Sequence, residues 1–192
     1  MSTPSPEESP ITRLLRQAEG GEEEARSQLF RVLYSDLRGV ARARLHQLPI
    51  QSLDASDLVN EMYLRLFRKD QLDCKNRKHF FFVCGRAMQD ILVEHVRRKI
   101  SPKHGGGLQR VVIDQALTVA DRSPEEFLAV SGAISRLSEE DPETADIVRL
   151  RYFVGLTGDE IARVVGLAPV TVDRRIKFAH AWLHEDISGQ MQ

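Results

Sequence analysis

Thr171, Arg174, Arg175 and Lys177 follow Pro169 at the start of a segment with helical periodicity. A hydroxyl, two guanidiniums and an ammonium over two turns can donate hydrogen bonds to base edges and phosphate oxygens. A second group lies upstream. Lys69, Lys75, Asn76, Arg77, Lys78 and His79 precede Phe82, Arg86, Gln89, Val93 and Arg97, the last five spaced 4, 3, 4 and 4. Aromatic, amide and cationic groups on one helical face can stack on unpaired bases and hold their phosphates. Asn76 offers both donors and acceptors, which suits a base edge. The bland readings are a solvated basic rim and a Phe82 packed against residues 11–48.

Other chemistries find less support. Cys74, His79, Cys84 and His95 match no standard zinc spacing, and Cys84 falls on an apolar stripe, so neither metal nor cofactor is expected. Gly105–Gly107 lacks the Lys-Ser/Thr that completes a phosphate-binding loop, and no Gly-x-Ser-x-Gly elbow is present. Glu22–Glu24 read as a solvated helix face rather than a catalytic cluster. These absences argue against an enzyme.

The elements that must position the basic groups are helical. Of 192 residues, 42% are apolar and 29% charged, enough for a packed core. Leu58, Val59, Met62, Tyr63 and Leu66 form a helical stripe behind an Asp54 N-cap, with Asp57 in the first turn. Phe80, Phe81, Cys84, Ala87, Met88, Ile91 and Leu92 form another, within 80–98. Residues 11–48 carry a weaker helical pattern ended by Pro49, and the short run Val111-Val112-Ile113 alone looks strand-like. Ser123-Pro124-Glu125-Glu126 and Thr157-Gly158-Asp159-Glu160 are capping boxes, and Asp141-Pro142 is a cap followed by proline.

A short helix over 158–165, a Gly166-Leu167-Ala168 turn and a helix from Pro169 to about Ile187 have the form of a DNA-binding helix-turn-helix. Val172, Ile176, Ala179 and Leu183 make its buried stripe, leaving Thr171, Arg174 and Lys177 to point elsewhere. Ala168 sits at the N-cap, where it can accept no hydrogen bond.

The expected fold class is therefore all-α: a tail over 1–10, a helical domain over 11–98, a flexible glycine-rich linker over 99–122, a second helical domain over 123–187 and a tail over 188–192. The net charge of −1 is unevenly spread: −3 over 1–30, +6 over 31–100, −5 over 101–146 and +1 over 147–192. A protein that grips DNA alone usually carries a larger basic excess, so DNA binding here should be weak in isolation or shared with a partner. No apolar run approaches the roughly 18–20 residues of a membrane span. The first ten residues have no signal-peptide pattern, and two cysteines make no disulfide framework, so a cytoplasmic location is expected.

Val165-Gly166-Leu167-Ala168-Pro169-Val170-Thr171-Val172-Asp173-Arg174-Arg175 resembles the end of domain four of extracytoplasmic-function (ECF) sigma factors. Leu137–Pro142 and Val148–Phe153 resemble that domain's earlier helices. Asp57-Leu58-Val59-Asn60-Glu61-Met62-Tyr63-Leu64-Arg65-Leu66 resembles the family's polymerase-docking segment, and Asn76–Phe81 with Ile91–Arg98 its promoter-melting and −10-reading part. The glycine-rich linker and Ala181-Trp182-Leu183 are similar to one branch of the family.

The resemblance implies a detachable specificity subunit of bacterial core RNA polymerase, with the β′ and β subunits and promoter DNA as partners. It admits an anti-sigma factor, and a chain that is monomeric when free. It implies polymerase binding through Asp57, Leu58, Glu61, Leu64 and Phe67. It further implies −10 contacts from Lys75, Asn76, Arg77, Lys78, His79, Phe82, Arg86 and Arg97, and −35 contacts from Pro169, Thr171, Arg174, Arg175 and Lys177. Ala168 stands where the family usually has Ser, and Asp173 and His180 where cations are common. The alternative from another class is an autonomous helix-turn-helix regulator whose first domain dimerises or binds a ligand.

Overall fold

The computed structural model describes residues 10–20, 53–67, 76–100 and 123–190, with single positions between 22 and 45. Its elements are α1 (Pro10–Glu19), α2 (Ala55–Phe67), α3 (Arg77–Ile100), α4 (Pro124–Glu140), α5 (Pro142–Arg149), a π turn (Leu150–Val154), α6 (Gly158–Val165) and α7 (Pro169–Gly189). Among the described residues the fold is all-α, as expected. Residues 101–122, which include most of the expected linker and the strand-like run at 111–113, lie outside the described residues. So do Lys69, Cys74 and Lys75. Three expected boundaries shift: Pro10 already belongs to α1, Lys99 and Ile100 complete α3, and α7 runs on through Ser188 and Gly189.

The helix ends follow from their capping chemistry. Ser123 Oγ accepts the Glu126 amide while Glu126 reaches back to the Ser123 N–H, closing the first box. Thr157 and Glu160 form the second. Asp141 accepts the Thr144 amide at 3.0 Å and its hydroxyl at 2.6 Å. Burial works against the Asp141 charge, yet the Thr144 hydrogen bonds hold its carboxyl below the usual range. Asn76 caps α3 by accepting the His79 amide at 2.9 Å. The Asn76 Oδ1 is thus engaged by the chain itself, and its amide NH2 group is not used by this cap.

Packing joins the helices into one apolar cluster. Leu58, Val59, Met62 and Leu66 of α2 are buried on the stripe expected for them, where α2 lies against α3. Cys84, Met88, Ile91 and Leu92 fill α3. α3 does not stop at one partner, for it also packs on α4, α5, the π turn and α6. Gly85 makes that approach close: a Cβ there would lie 3.1 Å from the Arg149 Cβ and 3.7 Å from Val154 Cγ2. The π turn ends at Gly155, whose φ of 79° is the left-handed conformation that glycine adopts without strain. Phe153, within it, meets Phe127 of α4 edge-on at 6.1 Å. No described helix is long and apolar enough to cross a membrane.

Candidate nucleic-acid interface

The helix-turn-helix is built as its sequence dictates. α6 ends at Gly166 with φ 72°, and the Gly166 and Leu167 amides both donate to the Ala162 carbonyl. Ala168, at the N-cap of α7, makes no side-chain cap. Val172, Ala179 and Leu183 are buried and Ile176 packs against the core. Pro169, Arg174 and Lys177 are exposed and Thr171 is half-buried. The same outer face carries two large apolar groups that the sequence reading passed over, Val170 (64% exposed) and Phe178 (52%). Their spacing around Arg174, four residues on either side, was visible in the sequence.

Arg175 behaves differently from its neighbours. Its guanidinium donates to Thr144 Oγ1 at 2.9 Å, lies 2.9 Å from Glu143 Oε2 and is 3.6 Å from Asp141. It is folded back on α5, a correction to the expectation of a cation held out for phosphates. His180 hydrogen-bonds Tyr152, which gives this position a structural task.

The basic face of α3 is also engaged. Lys78 Nζ lies 2.5 Å from Glu143 Oε1. Arg86 makes a two-pronged contact with Asp146, Nε to Oδ1 at 2.9 Å and Nη2 to Oδ2 at 2.5 Å, which raises the guanidinium's pKa. Behind it runs a buried polar chain. Arg149 donates to Asp146 Oδ1 at 2.9 Å and to Gln89 Oε1 at 2.7 Å, and Gln89 donates to the Ser131 carbonyl at 2.8 Å. Burial pulls the Arg149 pKa down. Phe82 sits between Lys78 and Arg86 on this face and is only 8% exposed, with Lys78 Nζ 5.5 Å from its ring centre. The stripe expected to be open is thus engaged by the second half of the chain at Lys78, Arg86 and Gln89. What remains open is its N-terminal end, where Asn76, Lys78, His79 and Phe82 line a cavity of about 380 Å³, with Arg77 half-buried beside it. Arg97, near the other end of α3, is exposed.

On α2, Asp57 is exposed and Leu64 is 53% exposed. Glu61 holds Arg65 at 2.8 Å and His95 at 3.3 Å. Leu58 is fully buried, which corrects its assignment to a contact surface, because its position on the α2 stripe points it into the core. The Phe67 side chain lies outside the described residues. Among the described residues no group of His, Cys, Asp and Glu could hold a metal.

Among curated proteins no significant match is found. Among solved structures, the chain is similar to one titled "Structure of CnrH in complex with the cytosolic domain of CnrY", at 20% identity and a TM-score of 0.40. The match covers 92% of this chain and 96% of that one. The family model described as "ECF sigma factor" matches residues 8–189, taking in both basic helices and the helix-turn-helix. Members of that family are DNA- and protein-binding regulators, not enzymes. With a helix-turn-helix and a basic helix inside the matched span, the chain belongs to the ECF sigma factors.

Proposed function

We propose that the protein binds bacterial core RNA polymerase and directs promoter-specific initiation. In this reading, residues 11–98 form the domain that docks on polymerase and opens the −10 element, and residues 123–187 form the domain that reads the −35 element. The supporting observation is the helix-turn-helix with Arg174 and Lys177 on its outer face, inside a chain that matches the family almost from end to end. Arg174 contacts a base edge, while Thr171, Lys177 and the Pro169 end of α7 set its register on phosphates. Asn76, Arg77, Lys78 and His79 line the entry for the −10 strand, with Lys75 before them and Arg97 beyond. Asp57, Glu61, Leu64 and Phe67 face the polymerase. An anti-sigma factor is a further partner in this reading, and the protein acts in the cytoplasm.

The test is in vitro transcription with core polymerase on a genomic fragment library, with transcript starts mapped. A shared pair of upstream elements at the starts is expected. If the protein shifts no start sites and does not co-purify with core polymerase, the autonomous-regulator reading replaces this one.

A further inference from the structure

The leading end of α7 is apolar and open to water. Ala168, Pro169 and Val170 are exposed in succession, and Val170 is the most exposed large apolar side chain among the described residues. A single exposed valine needs no explanation, but a run of three exposed apolar residues does. None of the three side chains can make a hydrogen bond. The run stands at the N-terminus of a helix whose N-terminal residues, in a helix-turn-helix, meet base edges.

The surroundings of Val170 say what would cover it. At about 100° per residue, Arg174 lies roughly 40° to one side of it and Lys177 roughly 20° to the other, and both are exposed. Asp173 is the one carboxylate in the first two turns of α7. It is directed at α6, where its Oδ1 lies 3.4 Å from the position a Cβ would take on Gly158. An apolar group flanked by cations suits a polyanion that carries an apolar feature. The major groove of duplex DNA has one such feature, the 5-methyl group of thymine.

Resting on the proposed function, we infer that Val170 is a specificity-determining residue that reads a thymine methyl group in the −35 element. Arg174 follows one turn later, about 6 Å along the helix axis, and takes a guanine in the same element. At roughly 3.4 Å per base pair, the thymine lies within about two base pairs of that guanine. Cytosine in its place brings no methyl group and sets its amino group against the valine without an acceptor. Phe178 lies about 12 Å from Val170 along the axis, past the residues that enter the groove, and is not the methyl reader.

Deoxyuridine tests the contact directly, because it lacks the methyl group and pairs as thymine does. In a promoter located by transcript mapping, each −35 thymine on either strand is replaced in turn. The affinity of the polymerase holoenzyme for each duplex is then measured by competition. Loss of one methyl group from an apolar contact should weaken wild-type binding about fourfold at a single position. Val170→Ala should bind the thymine and deoxyuridine duplexes within about twofold of each other, whereas Phe178→Ala should keep the fourfold difference. Val170→Thr, which keeps the shape and adds a hydroxyl, decides the matter if circular dichroism shows the alanine variant unfolded. A −35 element without thymine, or a wild-type complex indifferent to deoxyuridine at every position, overturns the inference. So does a folded Val170 variant that keeps the full difference. Failure of the sigma reading shows separately, as a wild type that does not co-purify with core polymerase, and the inference falls with it.

Discussion

Arg149 is the residue on which the most other groups depend. It is 5% exposed and bridges Asp146 and Gln89, which in turn reach Arg86 and the Ser131 carbonyl. Removing one member of a buried charged pair strands the other, a loss of about 3–5 kcal/mol. Arg149→Ala should cost that much in urea denaturation, whereas Arg86→Ala, which removes the solvent-facing partner of Asp146, should cost less. Arg174 makes a different kind of claim, because it is exposed and its loss should leave stability unchanged. Arg174→Ala should relax preference at one −35 position by about 1–3 kcal/mol in a promoter-variant library, while Lys177→Ala should weaken all promoters alike. The sequence distinguishes Arg174 from core residues by helical phase alone. It does not distinguish Arg175, whose inward turn depends on Glu143 and Thr144 more than thirty positions away.

At the scale of elements, the caps carry separable predictions. Ala168 has the extended backbone of an N-cap, φ −67° and ψ 144°, without an acceptor. Ala168→Ser should stabilise the protein by about 1 kcal/mol and raise Tm by about 2–4 °C in calorimetry. Thr157→Ala should cost a similar amount, because it opens a completed box. The Thr157 amide and hydroxyl hold the Glu160 carboxyl below its ordinary pKa. A depressed carboxylate stabilises the fold above its unfolded value, and the contribution disappears as pH falls through the folded value. The difference in stability between wild type and Thr157→Ala should therefore shrink in acid. These boundaries were legible because caps are local chemistry. The π turn was not, since the extra residue in its ladder has no signature in spacing or composition.

For the molecule as a whole, the sequence reveals two basic helices and a helix-turn-helix, but not that α3 would be buried on two sides. Phe82, Arg86 and Gln89 share one face of α3, and periodicity reads such a face as solvent-facing because it is polar. Their partners, Asp146, Arg149 and Ser131, lie 42 to 60 positions away. Near-neutral net charge fits a chain that matches its own cations with its own carboxylates. The outer side of α2 remains available, with Leu64 half out in solvent. Leu64→Ala and Glu61→Lys should each weaken core-polymerase affinity at least tenfold in proteins whose circular dichroism is unchanged. Equal affinity in both would move the dock elsewhere.

The π turn at Leu150–Val154 also sets how much length the chain can gain or lose. An inserted residue in a helical ladder turns everything after it by about 100° and advances it by about 1.5 Å. Arg149 and Phe153, four residues apart, both face inward across this turn. The wide turn takes up one residue locally, so shortening this stretch by one would restore a plain α ladder while the residues on either side keep their faces. A single-codon deletion here should thus be tolerated, leaving the recognition helix aimed as before, whereas a deletion within α7 would turn its outer face by about 100°.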